Sequence, residues 1–182
     1  KRLLCFTMLL TVTISAITFT NNVKAATKWN TSKSVTKEEN GIKYSAYLTE
    51  DGKESWIYQI KLSKKITKLT LPKEINQAKL TRVGFGKELY NKGEDEDAYQ
   101  NLFGDTIEPW HNCYGDLSND DKNKQTIETV AIPGTVNQLE IATFSGMKKL
   151  KSVVIPEQTA SVPAYTFAKC SALSRSEEHT SE

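Results

Sequence analysis

The tightest grouping of chemically able side chains is His111, Cys113 and Asp116: a base, a thiol and a carboxylate within one short stretch. Such a set suits either a metal site or a thiol nucleophile with its base. Zinc asks for three or four ligands at defined spacings, usually paired as Cys-x-x-Cys or His-x-x-x-His. The chain holds 2 histidines, His111 and His179, and the second sits in a tail that is set aside below. Nor does a nucleophile elbow or glycine-rich oxyanion turn adjoin Cys113. Asp116 to Glu128 has the acidic density of a calcium loop, but lacks glycine at its sixth position and carries Ile127 where a bidentate glutamate closes such a loop. The acidic run Glu94 to Asp97 reads as a solvated loop. No GxGxxG, GxxxxGK[ST] or GxSxG string is present. No catalytic, cofactor-binding or metal-ligating residue is therefore assigned, and no cofactor is expected.

The two ends are read as processing or foreign segments. Residues 1–25 open on Lys1 and Arg2, run through an apolar stretch from Leu3 to Phe19, and close on small residues at Val23 and Ala25, which is the order of a signal peptide. Threonines and serines dilute the stretch too much for a permanent span of about 20 apolar residues. Secretion is the expectation, with a mature chain starting around Ala26 or Thr27 and no membrane insertion after cleavage. Cys5 precedes the apolar stretch, whereas a lipoprotein cysteine follows it. Arg175 to Glu182, RSEEHTSE, resembles a translated sequencing adapter and is set aside, with the natural text expected to break near Ser174.

Between those ends acidic and basic residues nearly balance, as the net charge of +2 for the whole chain suggests. That argues against a nucleic-acid binder, which shows a basic excess or stripe, and against an anionic-membrane binder. Lys61 to Lys68, KLSKKITK, is the only basic run, and its lysines alternate with apolar residues as on the wet face of a strand. With 3 cysteines in all, one of them inside the signal peptide, stability must come from packing and not from a disulfide framework.

The elements follow from periodicity. Residues 26–39 read as a polar linker. Over 40–65, Tyr44, Ala46 and Leu48 alternate with polar partners, and Trp56, Tyr58 and Ile60 do the same, with Asp51-Gly52 between the two runs. An Asp-Gly pair so placed marks a β-hairpin, here expected as an N-terminal cap. Internal repetition is the strongest signal. Ile127, Val130, Ile132-Pro133, Leu139, Phe144, Met147 and Leu150 recur as Leu150, Val153, Ile155-Pro156, Val162, Phe167, Cys170 and Leu173, a period of 23 residues. ITKLTLPKEINQAKL from Ile66 matches IETVAIPGTVNQLEI at an offset of 61, through Leu71-Pro72, Ile75, Asn76-Gln77 and Leu80. Such a period lies within the leucine-rich-repeat range. Residues 66–83 are thus the first repeat, and 127–174 two more, the last truncated. Residues 84–126 are either an insertion or a degenerate repeat in which Trp110, Cys113 and Leu117 echo Phe144, Met147 and Leu150.

The text "apolar-x-Ile-Pro … apolar … Phe-x-x-Cys-x-x-Leu" resembles the bacterial BspA-like leucine-rich-repeat family, clearly over Ile127 to Leu173 and in part over Ile66 to Leu80. It departs at Thr143 and Thr166, where an alanine commonly precedes the phenylalanine, and in lacking the usual Ile-Gly pair. The resemblance implies a secreted or cell-surface protein.

The expected fold is a strand-rich leucine-rich-repeat solenoid, with short parallel strands and irregular or helical-turn returns, preceded by the hairpin. Val130 and Ile132 point inward, proline ends each ladder for want of an N–H, Phe144 stacks on Phe167, and Cys170 is a packed, inert thiol. Outward positions form the candidate binding face: Lys68, Thr70, Thr129, Ala131, Ser152 and Val154. Small polar and apolar residues there suit a protein or glycan partner, such as a host surface, in a non-catalytic adhesion scaffold. The rival reading is a targeting or stalk region of a larger secreted enzyme.

Overall fold

The computed structural model describes residues 27–89, 99–104, 106–107 and 123–174. His111, Cys113, Asp116, Trp110, Leu117, Glu94 to Asp97, the signal segment 1–25 and the tail Arg175 to Glu182 lie outside the described residues.

The first three strands, β1 (Val35–Glu39), β2 (Ile42–Leu48) and β3 (Glu54–Leu62), form an antiparallel meander. Asp51-Gly52 lies in the β2–β3 connection, where Gly52 has φ 69° and Thr49 Oγ1 donates to Asp51 at 2.6 Å. β1 falls in the stretch expected to be linker. Its pattern VTKEE is mostly polar because only Val35 leans on the core. The overlooked signal is Asn40-Gly41, a two-residue turn with φ of 54° and 81°, which closes the first hairpin.

A second departure concerns β3. A bulge shifts the register between Ser45 and Ala46, so Ser45 faces Gln59 while Ala46 faces Ile57. Trp56 then pairs with Tyr47, and Ile60 with Tyr44. The extra residue reverses the alternation. Trp56 and Ile60, expected on one face, lie on opposite faces and are both buried.

The repeats supply β4 (Lys68–Thr70), β5 (Glu74–Ile75), β6 (Ala78–Val83), β9 (Thr129–Ala131), β10 (Gln138–Leu139) and β11 (Ser152–Val154). A short pair, β7 (Tyr99–Gln100) with β8 (Thr106–Ile107), intervenes. β4, β9 and β11 form a wholly parallel sheet with β9 in the middle; Thr129 faces Ser152 on one side and Lys68 on the other. The other large sheet is mixed, in the order β1-β2-β3-β6-β10 with β5 on β6, and its β3–β6 and β6–β10 pairings are parallel. The meander thus continues into the repeats through hydrogen bonds, a junction that alternation alone does not reveal.

Between repeats, β4–β9 keeps the offset of 61, but β6–β10 pairs Val83 with Leu139. The first unit has extra residues, taken up by the β5–β6 hairpin. Asn76 and Gln77 form its turn with φ of 49° and 69°, whereas Gln138 is a strand residue. The shared Asn-Gln text is therefore not a shared conformation, and the Leu80 to Ile141 match fails with it: Leu80 is buried and Ile141 only half-buried.

The core gathers Leu69, Leu71, Ile75, Val130, Ile132, Val136, Phe144, Met147 and Leu150 against Tyr44, Ile57 and Ile60. Phe144 stacks on Phe167 at 5.9 Å between centroids and 10° between planes. The backs of the second and third units join by a ladder in which Ala142, Phe144 and Gly146 donate to Ala164, Thr166 and Ala168. Left-handed residues recur in step: Ala142 with Tyr165, and Gly146 with Lys169. The threonines that depart from the family's alanine close these turns, since Thr143 Oγ1 donates to Glu140 O at 2.6 Å and Thr166 Oγ1 to Pro163 O at 2.7 Å. Gly84, at φ 113°, presses on the first of them, and a Cβ there would overlap the Thr143 hydroxyl.

The third unit is only half covered. Phe167, Val153, Ile155 and Leu173 are partly buried, and Val162, matched to the buried Leu139, is 50% exposed. Among the described residues no further layer packs on their outer side. The first unit's back is supplied by Asn101 to Gly104: Leu102 N donates to Thr143 O, Ile60 N donates to Leu102 O, and Leu102 is fully buried in the place that Phe144 occupies in the next unit.

Candidate binding face

Each repeat strand places one residue inward between two facing out. Leu69 and Val130 are buried and Val153 partly so, while Lys68, Thr70 and Ser152 are exposed and Thr129 and Ala131 half-buried. The register aligns these as two outward rows, Lys68–Thr129–Ser152 and Thr70–Ala131–Val154. Neighbouring strands lie about 4.8 Å apart, so each row spans roughly 10 Å. All six sequence-chosen residues are therefore brought onto one face. Leu71 N donates to Ala131 O at 3.0 Å, and the prolines that follow (Pro72, Pro133, Pro156) end the ladder as their missing N–H requires.

The face carries one formal charge, on Lys68, with three hydroxyls, a methyl and the 73% exposed Val154. Its N-terminal rim is tied by Lys151 Nζ to Glu128 Oε2 at 2.9 Å, and Lys151 and Glu128 also bond through their backbones. The set contains no carboxylate, imidazole or thiol. Lys61, Lys64 and Lys65 are exposed while Leu62 is buried, but the run is not one strand face as expected: β3 ends at Leu62, β4 begins at Lys68, and Lys64 and Lys65 lie in the connection between them.

Cys170 is buried, its Sγ 3.2 Å from Phe144 O, and burial pushes the thiol up to about 11. It is thus a packed thiol with little thiolate at neutral pH. Among the described residues no group of three or more His, Cys, Asp or Glu side chains is placed to hold a metal. None of their helices is long and apolar enough to cross a membrane.

Two buried charges were not foreseen. Arg82, on β6, is 4% exposed; its Nε donates to Glu140 at 2.7 Å and its Nη2 to both oxygens of Glu88 at 3.0 and 2.9 Å. Its guanidinium lies 3.7 Å over the Trp56 ring. Burial works against the Arg82 charge and raises the Glu88 carboxyl, yet the mutual hydrogen bonds win, so Arg82 is shifted up and Glu88 down. Arg82 and Glu140 are far apart in sequence, so no local motif announces the pair. Lys124 lies in a 3₁₀ turn, Lys124–Thr126, and is fully buried. One period on stands Met147, and one further Cys170, so a lysine fills the slot of an apolar side chain. Burial, and then the Lys148 charge, pull it down to about 8. The signal was available: the 23-residue period, counted back from Met147, lands on Lys124.

No curated protein and no solved structure matches the chain. Residues 122–180 match the family model described as BspA type Leucine rich repeat region (6 copies), a match that runs past Ser174 into the terminal segment. Together with the β4-β9-β11 ladder and its repeated turns, that match identifies residues 122–180 as a BspA-type leucine-rich-repeat region.

Proposed function

We propose that the chain is a secreted or cell-surface, non-catalytic binding scaffold that engages a protein or glycan through the β4-β9-β11 face. In this reading the repeats stack as a solenoid closed at its N-terminal end by the meander, and the signal segment directs export. The observation that carries it is the register: Lys68, Thr129 and Ser152 stand in one outward row, and Thr70, Ala131 and Val154 in the other, over a buried row of apolar residues. A stacked array gains affinity from many modest contacts on such a surface. Six residues with one charge and no titratable pair suit recognition better than bond-breaking.

The test is adhesion of wild type and a face variant to immobilised matrix proteins, glycans and whole cells. Because these positions are cross-strand neighbours, three like charges would repel one another; alternating charges avoid that. Lys68→Glu with Thr129→Lys and Ser152→Glu should leave the melting temperature within a few degrees, since substitutions at the exposed Lys68 and Ser152 cost within about 0.5 kcal/mol each and a lysine stem at the half-buried Thr129 can lie along the sheet with its charge in water, while adhesion falls about tenfold or more. Equal adhesion by both proteins removes this face from the account.

A further inference from the structure

The connections that lead into the parallel strands stack as closely as the strands themselves. Thr126 Oγ1 donates to Ile66 O at 2.7 Å, Glu128 N to Thr67 O and Lys151 N to Glu128 O at 2.7 Å each, and Lys148 N to Gln125 Oε1 at 3.2 Å. These bonds carry the strand register back toward the preceding turns. Lys64, Gln125 and Lys148 therefore stand in one column, Lys65, Thr126 and Lys149 in the next, and Thr67, Glu128 and Lys151 in a third, beside the outward row that begins at Lys68. Each column spans two strand steps, about 10 Å. The N-terminal rim of the sheet thus gathers Lys64, Lys65, Lys68, Lys148, Lys149 and Lys151, all exposed, from two stretches distant in sequence. The only carboxylate in these columns is Glu128, which Lys151 Nζ meets at 2.9 Å. The Lys64 stem lies against the Gly41 turn, beside which Glu38 and Glu39 are already paired with Lys43 and Lys37. Behind the rim lies one more cation, the buried Lys124, close enough to Lys148 to feel its charge.

Such a concentration of one sign attracts a polyanion. Which kind follows from what stands beside the lysines. A single-stranded nucleic acid wants aromatic rings on which its bases stack, and these columns hold none. An anionic bilayer wants apolar side chains that sink beside the charges. Here Ile127 and Leu150 are fully buried and Ile66 packs against the core, so no apolar group is offered outward. The neighbours are hydroxyls, on Thr67, Thr129 and Ser152. The cations are all ammonium groups, compact point charges without the planar fork with which arginine grips a phosphate in two places. Point charges spaced along a rim, with hydroxyls between them, suit a hydroxyl-rich chain that carries its charges at intervals. We infer that this lysine rim is a binding site for a sulfated polysaccharide, whose sulfates pair with Lys64, Lys65, Lys148 and Lys149 while its hydroxyls meet Thr67 and Thr129. The whole-chain charge of +2 gives no hint of it, because the grouping comes from strand order.

The site goes beyond the β4-β9-β11 face, which it borders at Lys68. The experiment is a calorimetric titration of the whole chain with a heparin dodecasaccharide. Saturable binding is expected, and raising the salt from about 50 to about 200 mM should weaken it about tenfold or more as released counterions compete. Lys64→Gln, Lys65→Gln, Lys148→Gln and Lys149→Gln together should weaken it tenfold or more at constant salt. A second variant removes as many charges elsewhere: Lys28→Gln, Lys33→Gln, Lys53→Gln and Lys79→Gln, all exposed and at the Asp51-Gly52 end of the meander. It should bind as wild type does, because charges more than about 10 Å away are largely screened. Every substituted lysine is exposed, so both variants should keep the wild-type melting temperature. Both also keep the six residues of the outward rows, so the adhesion assay separates failure of that face from failure of this rim. Hyaluronan, which lacks sulfate, a DNA duplex and phosphatidylserine vesicles are the comparison ligands, and each should bind more weakly than heparin. Absence of heparin binding, no loss in the rim variant, equal loss in the two variants, or a comparison ligand bound as tightly as heparin overturns the assignment.

Discussion

Truncating Phe144 and Phe167 to alanine, singly and together, puts the stacking of the repeats to a quantitative test. Phe144 is fully buried and Phe167 partly so, and the two rings lie 5.9 Å apart and nearly parallel. A buried phenylalanine removes about 150–250 Å² from water, which at about 25 cal/mol/Å² comes to about 4–6 kcal/mol. Allowing for a partly collapsed unfolded chain lowers this by a tenth to two-fifths, to about 4 kcal/mol, in line with other buried aromatics. Phe167 has one face against Phe144 and should lose about half as much, about 2 kcal/mol. The stack itself should appear as a coupling of about 0.5–1.5 kcal/mol in the double-mutant cycle. Urea unfolding followed by tryptophan fluorescence, with Trp56 in the core as reporter, reads all three numbers from the midpoints. Equal losses at the two positions, or strictly additive losses, would refute the layered arrangement.

Other expectations can be checked in the same assay. Thr143→Val keeps the shape but removes the hydroxyl that closes the turn on Glu140 O, and should cost about 1–2 kcal/mol in the urea midpoint; Thr166→Val should match it if the turns are equivalent. Lys124 titrates near 8 in the folded protein against an ordinary 10.5, so between those values the unfolded state binds more protons and stability rises with pH. In a Cys170→Ala background, which removes a thiol whose raised value makes stability fall once the unfolded cysteine ionises near 9, urea midpoints at pH 7.5 and 9.5 should therefore increase with Lys124 present and stay level for Lys124→Met. In the native protein the rise is opposed first by Cys170, from near 9, and then by Tyr44, which burial and then Glu39 push up to about 12, so that stability falls further once the unfolded tyrosine ionises near 10. An unchanged slope in Lys124→Met would show that the buried ammonium is not the source.

The parts of the fold that could be read in the sequence are those where one physical demand repeats. Burial asks for Phe144 and Phe167, Leu150 and Leu173 at a fixed interval, and proline ends each strand where the next N–H is unwanted, so the parallel ladder and its outward rows followed directly. What escaped were local exceptions to a period. The bulge that turns Trp56 away from Ile60 leaves no trace in an alternating pattern, because a single added residue reverses the facing without altering composition. The β5–β6 hairpin made Asn76-Gln77 and Asn137-Gln138 look equivalent although one is a turn and the other enters a strand. Leu102 fills the Phe144 slot in a segment, Asn-Leu-Phe-Gly, that shares only its glycine in register with Thr-Phe-Ser-Gly. The Arg82–Glu140 pair arises from strand order, which single-sequence reading does not provide.

The register that underlies the binding face is tested most directly by disulfide trapping. In a background with the native cysteines replaced by serine or, at the buried Cys170, by alanine, Thr129→Cys with Ser152→Cys places two thiols on directly facing residues of parallel strands, within the Cα separation of about 4.4–6.8 Å that a disulfide tolerates. Thr129→Cys with Val153→Cys puts them on opposite faces of the sheet. Mild oxidation followed by mass measurement should show the first pair bridged nearly completely and the second left reduced. Bridging of the second pair in preference to the first would contradict the ladder, and with it the two outward rows on which the proposed binding face depends.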